Sequence, residues 1–163
     1  MTQPSPDRSA MAIPDLPLEG GCQCGQLRYR VTRAPLTLYC CHCSECQAQS
    51  SSAFGMSLRI PADGVEIDGE YATFERDAGK PNAVEGVFCP KCGTRVIHRG
   101  RGTDSTSSIK AGTLDDKSWL KPVGHIWVDS AQDWLKLEGL IYGKQPSDDY
   151  QALIEAFDAQ YGK

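Results

Sequence analysis

The chain has 163 residues, 40% of them hydrophobic and 23% charged, with a formal net charge of -4 and a sequence pI of about 5.3. That profile fits one soluble globular domain. It excludes the basic surface that non-specific binding to nucleic acid or to an anionic membrane requires, and no apolar run approaches the roughly 20 residues that span a bilayer.

Residues 1–17 carry Pro4, Pro6, Pro14 and Pro17 among small and polar residues. They are expected to form a disordered or loosely packed tail ahead of a single domain over residues 18–163. A basic stretch followed by an apolar one is absent from this lead-in, so the expected compartment is the reducing cytoplasm. Strands are expected at Leu27–Val31, Leu36–Cys41, Phe54–Ile60, Gly64–Ile67 and Tyr71–Arg76, where strand formers or period-2 alternation recur between turn signals. Gly86–Phe88 and Thr94–His98 flank Cys89 and Cys92 as the arms of a hairpin, and Ser107–Ala111 adds a short strand. Asp115–Leu120 reads as a single helical turn. Tyr150, Leu153, Ile154 and Phe157 form one apolar helical stripe, with Ser147 as the expected N-cap. The fold class is therefore mainly β, with little helix.

The chemistry lies in eight cysteines: Cys22, Cys24, Cys40, Cys41, Cys43, Cys46, Cys89 and Cys92. Pairs one or two residues apart are poor disulfide partners and good metal chelates. Cys22-Gln-Cys24 in a glycine-rich turn and Cys89-Pro-Lys-Cys92-Gly93 are two such half-sites. Together they make a four-cysteine zinc centre, coordinatively closed and therefore structural.

The run from Cys40 to Cys46 packs four cysteines and His42 into seven residues. Side chains alternate along an extended segment, so Cys41 and Cys43 are expected to share a face with Cys46 while Cys40 turns to the core. His42 points away from the metal side and is expected in a hydrogen-bonded structural role. Three thiolates leave zinc one open position, the mark of a catalytic site. By formal counting they also leave a net charge of about -1, which acidifies bound water poorly and suits a further sulfur ligand. Thiol chemistry is therefore expected there, with Cys41, Cys43 and Cys46 as the catalytic residues and two zinc ions per chain. The rival arrangement is a second closed site completed by Cys40, His42 or a distant residue.

GGCQCGQLRY, CHCSECQ, FCPKCGT, KAGTLDD and HIWVDSAQDW occur in that order from about Leu18 to Tyr142. In this combination the chain resembles the glutathione-dependent formaldehyde-activating enzyme family, also called centromere protein V-like. The resemblance implies an antiparallel β tent stapled by zinc, shared with a small zinc-binding exchange factor for Rab proteins. It implies a structural zinc on Cys22, Cys24, Cys89 and Cys92 and a second zinc on Cys41, Cys43 and Cys46. It further implies a carbon-sulfur lyase or synthase whose partners are a small-molecule thiol such as glutathione and a small aldehyde, joined as S-hydroxymethylglutathione. Two segments depart from the family pattern. Many relatives carry a glycine within the stretch here occupied by Gln49–Phe54, and a basic residue often stands shortly before the tryptophan of Ser130-Ala131-Gln132-Asp133-Trp134.

Around the metal sites, Trp127 and Trp134 are expected in the core, and His125 or Asp129 could hydrogen-bond a substrate. Lys110, Asp115 and Asp116 read as a turn with a helix start. Arg95, His98, Arg99 and Arg101 read as a solvated hairpin. Two alternatives stand beside the thiol-aldehyde enzyme: a non-catalytic zinc module engaging a protein partner, and an enzyme of the same family with a different small substrate. The sequence sets no oligomeric state.

Overall fold

A computed structural model describes residues 12–77, 79, 83–100 and 105–162. The expected tail therefore falls largely outside the described residues. Ile13, within its described part, packs against the core.

The first hairpin pairs β1 (Leu18–Gly21) with β2 (Arg28–Val31). Its connection holds Cys22 and Cys24 and turns at Gly25, whose φ of +80° suits glycine. β3 (Thr37–Cys41) is buried along its whole length and runs into α1 (Ser44–Ser50). β4 (Gly55–Pro61), β5 (Val65–Asp68) and β6 (Ala72–Arg76) follow. β7 (Val84–Phe88) and β8 (Arg95–Gly100) form the hairpin with Cys89 and Cys92 at its tip. β9 (Thr106–Lys110), β10 (Gly124–Ile126), β11 (Leu140–Ile141) and α2 (Gln151–Tyr161) complete the chain.

Two sheets result. The smaller has the order β1-β2-β5 and the larger β11-β10-β3-β4-β9-β8-β7-β6. All pairings are antiparallel except those of β10 with β3 and β11. The expected mainly β architecture with a C-terminal helix is what the chain adopts. The expected strands are present within a residue or two, and β1, β10 and β11 are additions. These three are short, at four, three and two residues.

Three helical expectations change. The residues after Cys43 form α1, although only Cys46 on it is buried. Asp115–Leu120 is not helical, and the nearby turn of 3-10 helix lies at Ala111–Thr113. Asp116 Oδ1 instead accepts from the backbone N–H and hydroxyl of Ser118 at 2.9 and 2.7 Å, a local bond that competes with helix. At α2 the side chain that serves the N-terminus is Asp148, which accepts from Ala152 N at 3.1 Å, not Ser147.

The helix α2 lays Leu153, Phe157 and Tyr161 against the large sheet, and Thr37 Oγ1 on β3 donates to the Leu153 carbonyl at 2.9 Å. Phe157 has no exposed surface, and its ring lies 4.5 Å from that of Tyr161. Truncation of Phe157 to alanine is expected to cost about 3–5 kcal/mol, read as a lower urea midpoint at unchanged slope.

Candidate metal centres and the cavity at the cysteine triad

Two sulfur clusters assemble from the two sets of cysteines. In the first, the turn after β1 meets the tip of the β7–β8 hairpin. Gly93 N donates to the Cys89 carbonyl at 2.9 Å and Cys89 N to the Thr94 carbonyl at 3.0 Å, closing a knuckle in which Gly93 takes a φ of +74°. Gln23 N donates to Thr94 Oγ1 at 3.2 Å, locking one turn to the other. Cys22 and Cys24 Sγ lie 3.5 Å apart, and Cys24 and Cys89 Sγ 3.7 Å apart. Four sulfurs at about 2.3 Å from one tetrahedral ion would lie about 3.8 Å apart. The donor set and its spacing therefore fit a zinc-like cation.

Hydrogen bonds favour thiolate at Cys92 and Cys22, while burial and the neighbouring thiols push Cys24 up to about 11. The Thr94 hydroxyl, 3.3 Å from Cys92 Sγ, and the Thr94 backbone bring Cys92 down to about 5. Burial works against ionisation of Cys22, but the Leu27 N–H and neighbouring thiols hold it below its ordinary value.

The second cluster is local. Cys41 ends β3, Cys43 is the N-cap of α1, and Cys46 lies in its first turn. Cys43 Sγ accepts from Cys46 N at 3.4 Å, so the metal-ligating side chain also satisfies an open helix N–H. The three sulfurs lie within 4.8 Å of one another, with Cys41 and Cys43 at 3.5 Å. Gly55 makes room for them: a Cβ there would stand 3.3 Å from Cys46 Cβ. Side-chain hydrogen bonds from Cys41 and Cys43 depress Cys46 strongly, with Lys110 and Arg95 adding to the effect. The same contacts, together with burial, push Cys41 far up. Three sulfurs this close cannot all ionise unless a cation joins them, so this donor set also fits a soft divalent metal.

Cys40 and His42 belong to neither cluster. Burial pushes the Cys40 thiol up to about 12, which keeps it protonated. His42 is fully buried, and its Nε2 lies 2.9 Å from His125 Nδ1. The histidine pair anchors β10 beside the triad segment. Asp129 is exposed, and like His125 it does not line the cavity at the triad.

That cavity, about 390 Å³, has Cys41, Cys43 and Cys46 in its wall. Trp127 joins them, half-buried and at a φ of +58°, a strained conformation for an aromatic residue. Trp134 departs from its expected core position, being 71% exposed. Its indole N–H donates to Gln132 Oε1 at 2.8 Å, and Gln132 Nε2 donates to Gln47 on α1 at 3.1 Å. Gln132, which stands in the segment where relatives often carry a basic residue, thus spends its amide on α1. The helix ends at Ser51, held at a φ of +50° within the segment where many relatives carry a glycine.

The largest departure concerns the hairpin arm expected to be solvated. Arg95, His98 and Arg99 line the cavity beside the triad, joined by Arg59 and Arg76. Arg101 lies outside the described residues. Lys110, expected in a turn, ends β9 and donates to Ser57 Oγ at 3.4 Å, and burial lowers its ammonium to about 8.

If each cluster holds one ion, the metal-replete protein is expected to carry two per chain by elemental analysis. Cys92→Ser should lower this to one and destabilise the fold by up to about 10 kcal/mol, the scale of a structural zinc. Cys43→Ser should also lower it to one while leaving the unfolding midpoint near wild type, because serine retains the helix cap.

Residues 17–130 match the family model described as glutathione-dependent formaldehyde-activating enzyme. The chain is 24% identical over 127 residues to a Halomonas elongata protein named "Putative glutathione-dependent formaldehyde-activating enzyme", an alignment covering 74% of this chain and 81% of that one. A Rhodobacter sphaeroides protein solved by crystallography as a structural-genomics target shares the fold with a TM-score of 0.51 at 15% identity, covering 77% of this chain and 99% of the other. With the model matched across most of its length, the chain belongs to the glutathione-dependent formaldehyde-activating enzyme family.

Proposed function

We propose that this protein is a carbon-sulfur lyase or synthase that joins a thiol, glutathione-like in character, to a small aldehyde and also runs the reverse step. The observation that carries this reading is the convergence of Cys41, Cys43 and Cys46 in the wall of a cavity large enough for a small thiol. In it, the four-cysteine cluster is the structural zinc centre and the triad is the catalytic one. Zinc held by three thiolates supplies a soft open position that stabilises a thiolate at neutral pH.

The remaining work falls to the chain. The reaction forms one C–S bond, moves the carbonyl π pair onto oxygen, and transfers the thiol proton to that oxygen, with nothing left over. No strong bond breaks, so holding the two partners together accounts for much of the rate. Ser57 lines the same cavity, and Lys110 Nζ donates to its hydroxyl. Ser57 is the member of the pair placed to hydrogen-bond the carbonyl oxygen as charge develops on it, and Lys110, which lines the neighbouring cavity, orients its hydroxyl. With an ammonium brought to about 8, Lys110 keeps its proton through neutral pH and loses it above. Trp127 and Ile126 line the cavity on the β10 side.

The test is the exchange of a thiol and formaldehyde with their S-hydroxymethyl adduct, followed by NMR magnetisation transfer with zinc-replete protein. Wild type is expected to accelerate exchange, and Cys43→Ser should return it to the uncatalysed rate while keeping the fold. Activity that falls above pH 8 in wild type but not in Lys110→Met would assign the loss to the Lys110 proton. Exchange at the uncatalysed rate for every thiol and aldehyde tried would overturn the catalytic reading in favour of a zinc module that binds a partner.

A further inference from the structure

The triad borders a second cavity, of about 530 Å³. Cys46, Gln49 and Arg95 line both cavities, whereas Cys41 and Cys43 line only the first. A polar bond also joins them: Lys110, in the wall of the second, donates to Ser57 Oγ, in the wall of the first, at 3.4 Å. The two compartments therefore share a seam at the Cys46 sulfur and at the hydroxyl that is placed to meet a carbonyl oxygen.

Away from that seam the second cavity calls for an apolar occupant. Phe54 and Met56, both half-buried, supply apolar wall. The hydroxyls around them are already engaged. Ser50 Oγ donates to the Cys46 and Phe54 carbonyls at 2.8 and 3.0 Å, Thr113 Oγ1 donates to the Lys110 carbonyl at 2.7 Å, and Thr94 Oγ1 accepts from Gln23 N at 3.2 Å. No aspartate or glutamate lines this cavity among the described residues. Its two cations belong to the seam, since Lys110 is bonded to Ser57 and Arg95 lines the first cavity as well. At Gly112 the wall is bare: a Cβ added there would meet nothing within 4 Å.

Size points the same way. A one-carbon aldehyde is little larger than a water molecule, whose share of liquid volume is about 30 Å³. The second cavity is far larger than such a substrate needs. A hydrocarbon chain buried in it would gain roughly fourfold in affinity per methylene.

We propose that the second cavity receives the hydrocarbon chain of the aldehyde, so that the carbonyl substrates of this protein extend beyond one carbon to straight-chain aliphatic aldehydes. The thiol sulfur bonds to the aldehyde carbon, the carbonyl π pair moves onto oxygen, and the thiol proton follows it. The product is a hemithioacetal with its chain in the second cavity and its thiol portion in the first. The identity of the occupant rests on the function proposed above; the apolar site at Phe54 and Met56 does not.

Two measurements on the zinc-replete protein separate these. In the first, the methionine methyl groups are followed by NMR as hexan-1-ol, which has the chain but no carbonyl, is added. The sequence holds three methionines, Met1, Met11 and Met56, and Met56→Leu assigns the signal. The Met56 methyl is expected to shift saturably, and Gly112→Trp, which fills the bare wall, should weaken binding at least about tenfold, the scale of two displaced methylenes. In the second, exchange is measured with glutathione as the fixed thiol and ethanal, butanal or hexanal as the aldehyde, each against its uncatalysed rate. KM is expected to fall at least about tenfold from ethanal to hexanal, and Gly112→Trp should abolish that gradient. Gly112→Leu should reduce it in part, and carries the test if circular dichroism shows Gly112→Trp unfolded. Hexanol binding without accelerated exchange of any pair would overturn the proposed function and, with it, the aldehyde as occupant. Accelerated exchange that ignores chain length, with an unmoved Met56 signal, would overturn the chain site alone. Preference for succinic semialdehyde over butanal would also overturn it, assigning the cavity to an anionic chain end.

Discussion

The architecture depends on one contact between chain segments far apart in sequence: the meeting of the Cys22–Cys24 turn with the Cys89–Cys92 knuckle. The first turn belongs to the three-stranded sheet and the second to the eight-stranded sheet, so the four sulfurs join the two sheets. Around them an apolar core is shared, with Leu18, Leu27, Tyr29 and Val31 of the first hairpin buried in one cluster with Leu58, Ile97 and Leu114, and polar contacts add to it. Tyr29 Oη shares a hydrogen bond of 2.9 Å with Thr113 Oγ1, Arg28 pairs with Asp115, and a single bridge joins Gly20 to Leu114. The ion pair is substantially exposed and contributes at most about 1 kcal/mol. A metal bound across the two turns would add folding energy to that of the shared apolar core.

What could be read from the sequence follows the same division between local and distant contacts. The sulfur clusters were legible because chelation imposes short spacings, and the strands were legible from alternation and turn residues. The exclusion of Cys40 and His42 from the triad followed from strand parity, which the buried β3 obeys. Helix α1 was not legible, because it has no apolar stripe. Its ends are held by polar devices instead: the Cys43 cap, and Ser50 Oγ donating to the Cys46 and Phe54 carbonyls at 2.8 and 3.0 Å.

The arginine cavity was the largest omission: Arg59 and Arg76 reach it from distant strands, and Arg95 reaches it through a local irregularity. Along β7 and β8, Val87 faces Ile97 while Phe88 faces Arg95, so β8 carries one extra residue at that point. A bulge of this kind re-aims the side chains on either side of it. Arg95 and His98 stand three apart, a spacing that regular alternation would send to opposite faces, yet both line the cavity. Nothing in the local sequence marks the bulge, because it depends on pairing with another strand.

The bulge also connects the two halves of the molecule. Arg95 lies three residues after Cys92, so the knuckle that joins the sheets also sets where β8 begins. Arg95 in turn is among the groups that favour a thiolate at Cys46, and it lines both the triad cavity and a neighbouring one, about 530 Å³, that reaches Cys92. A disturbance at the four-cysteine cluster would therefore shift the start of β8 and the charge that Arg95 presents to the triad. On this geometry the two clusters are not independent. The one that joins the two sheets also positions a guanidinium in the wall of the cavity at the other.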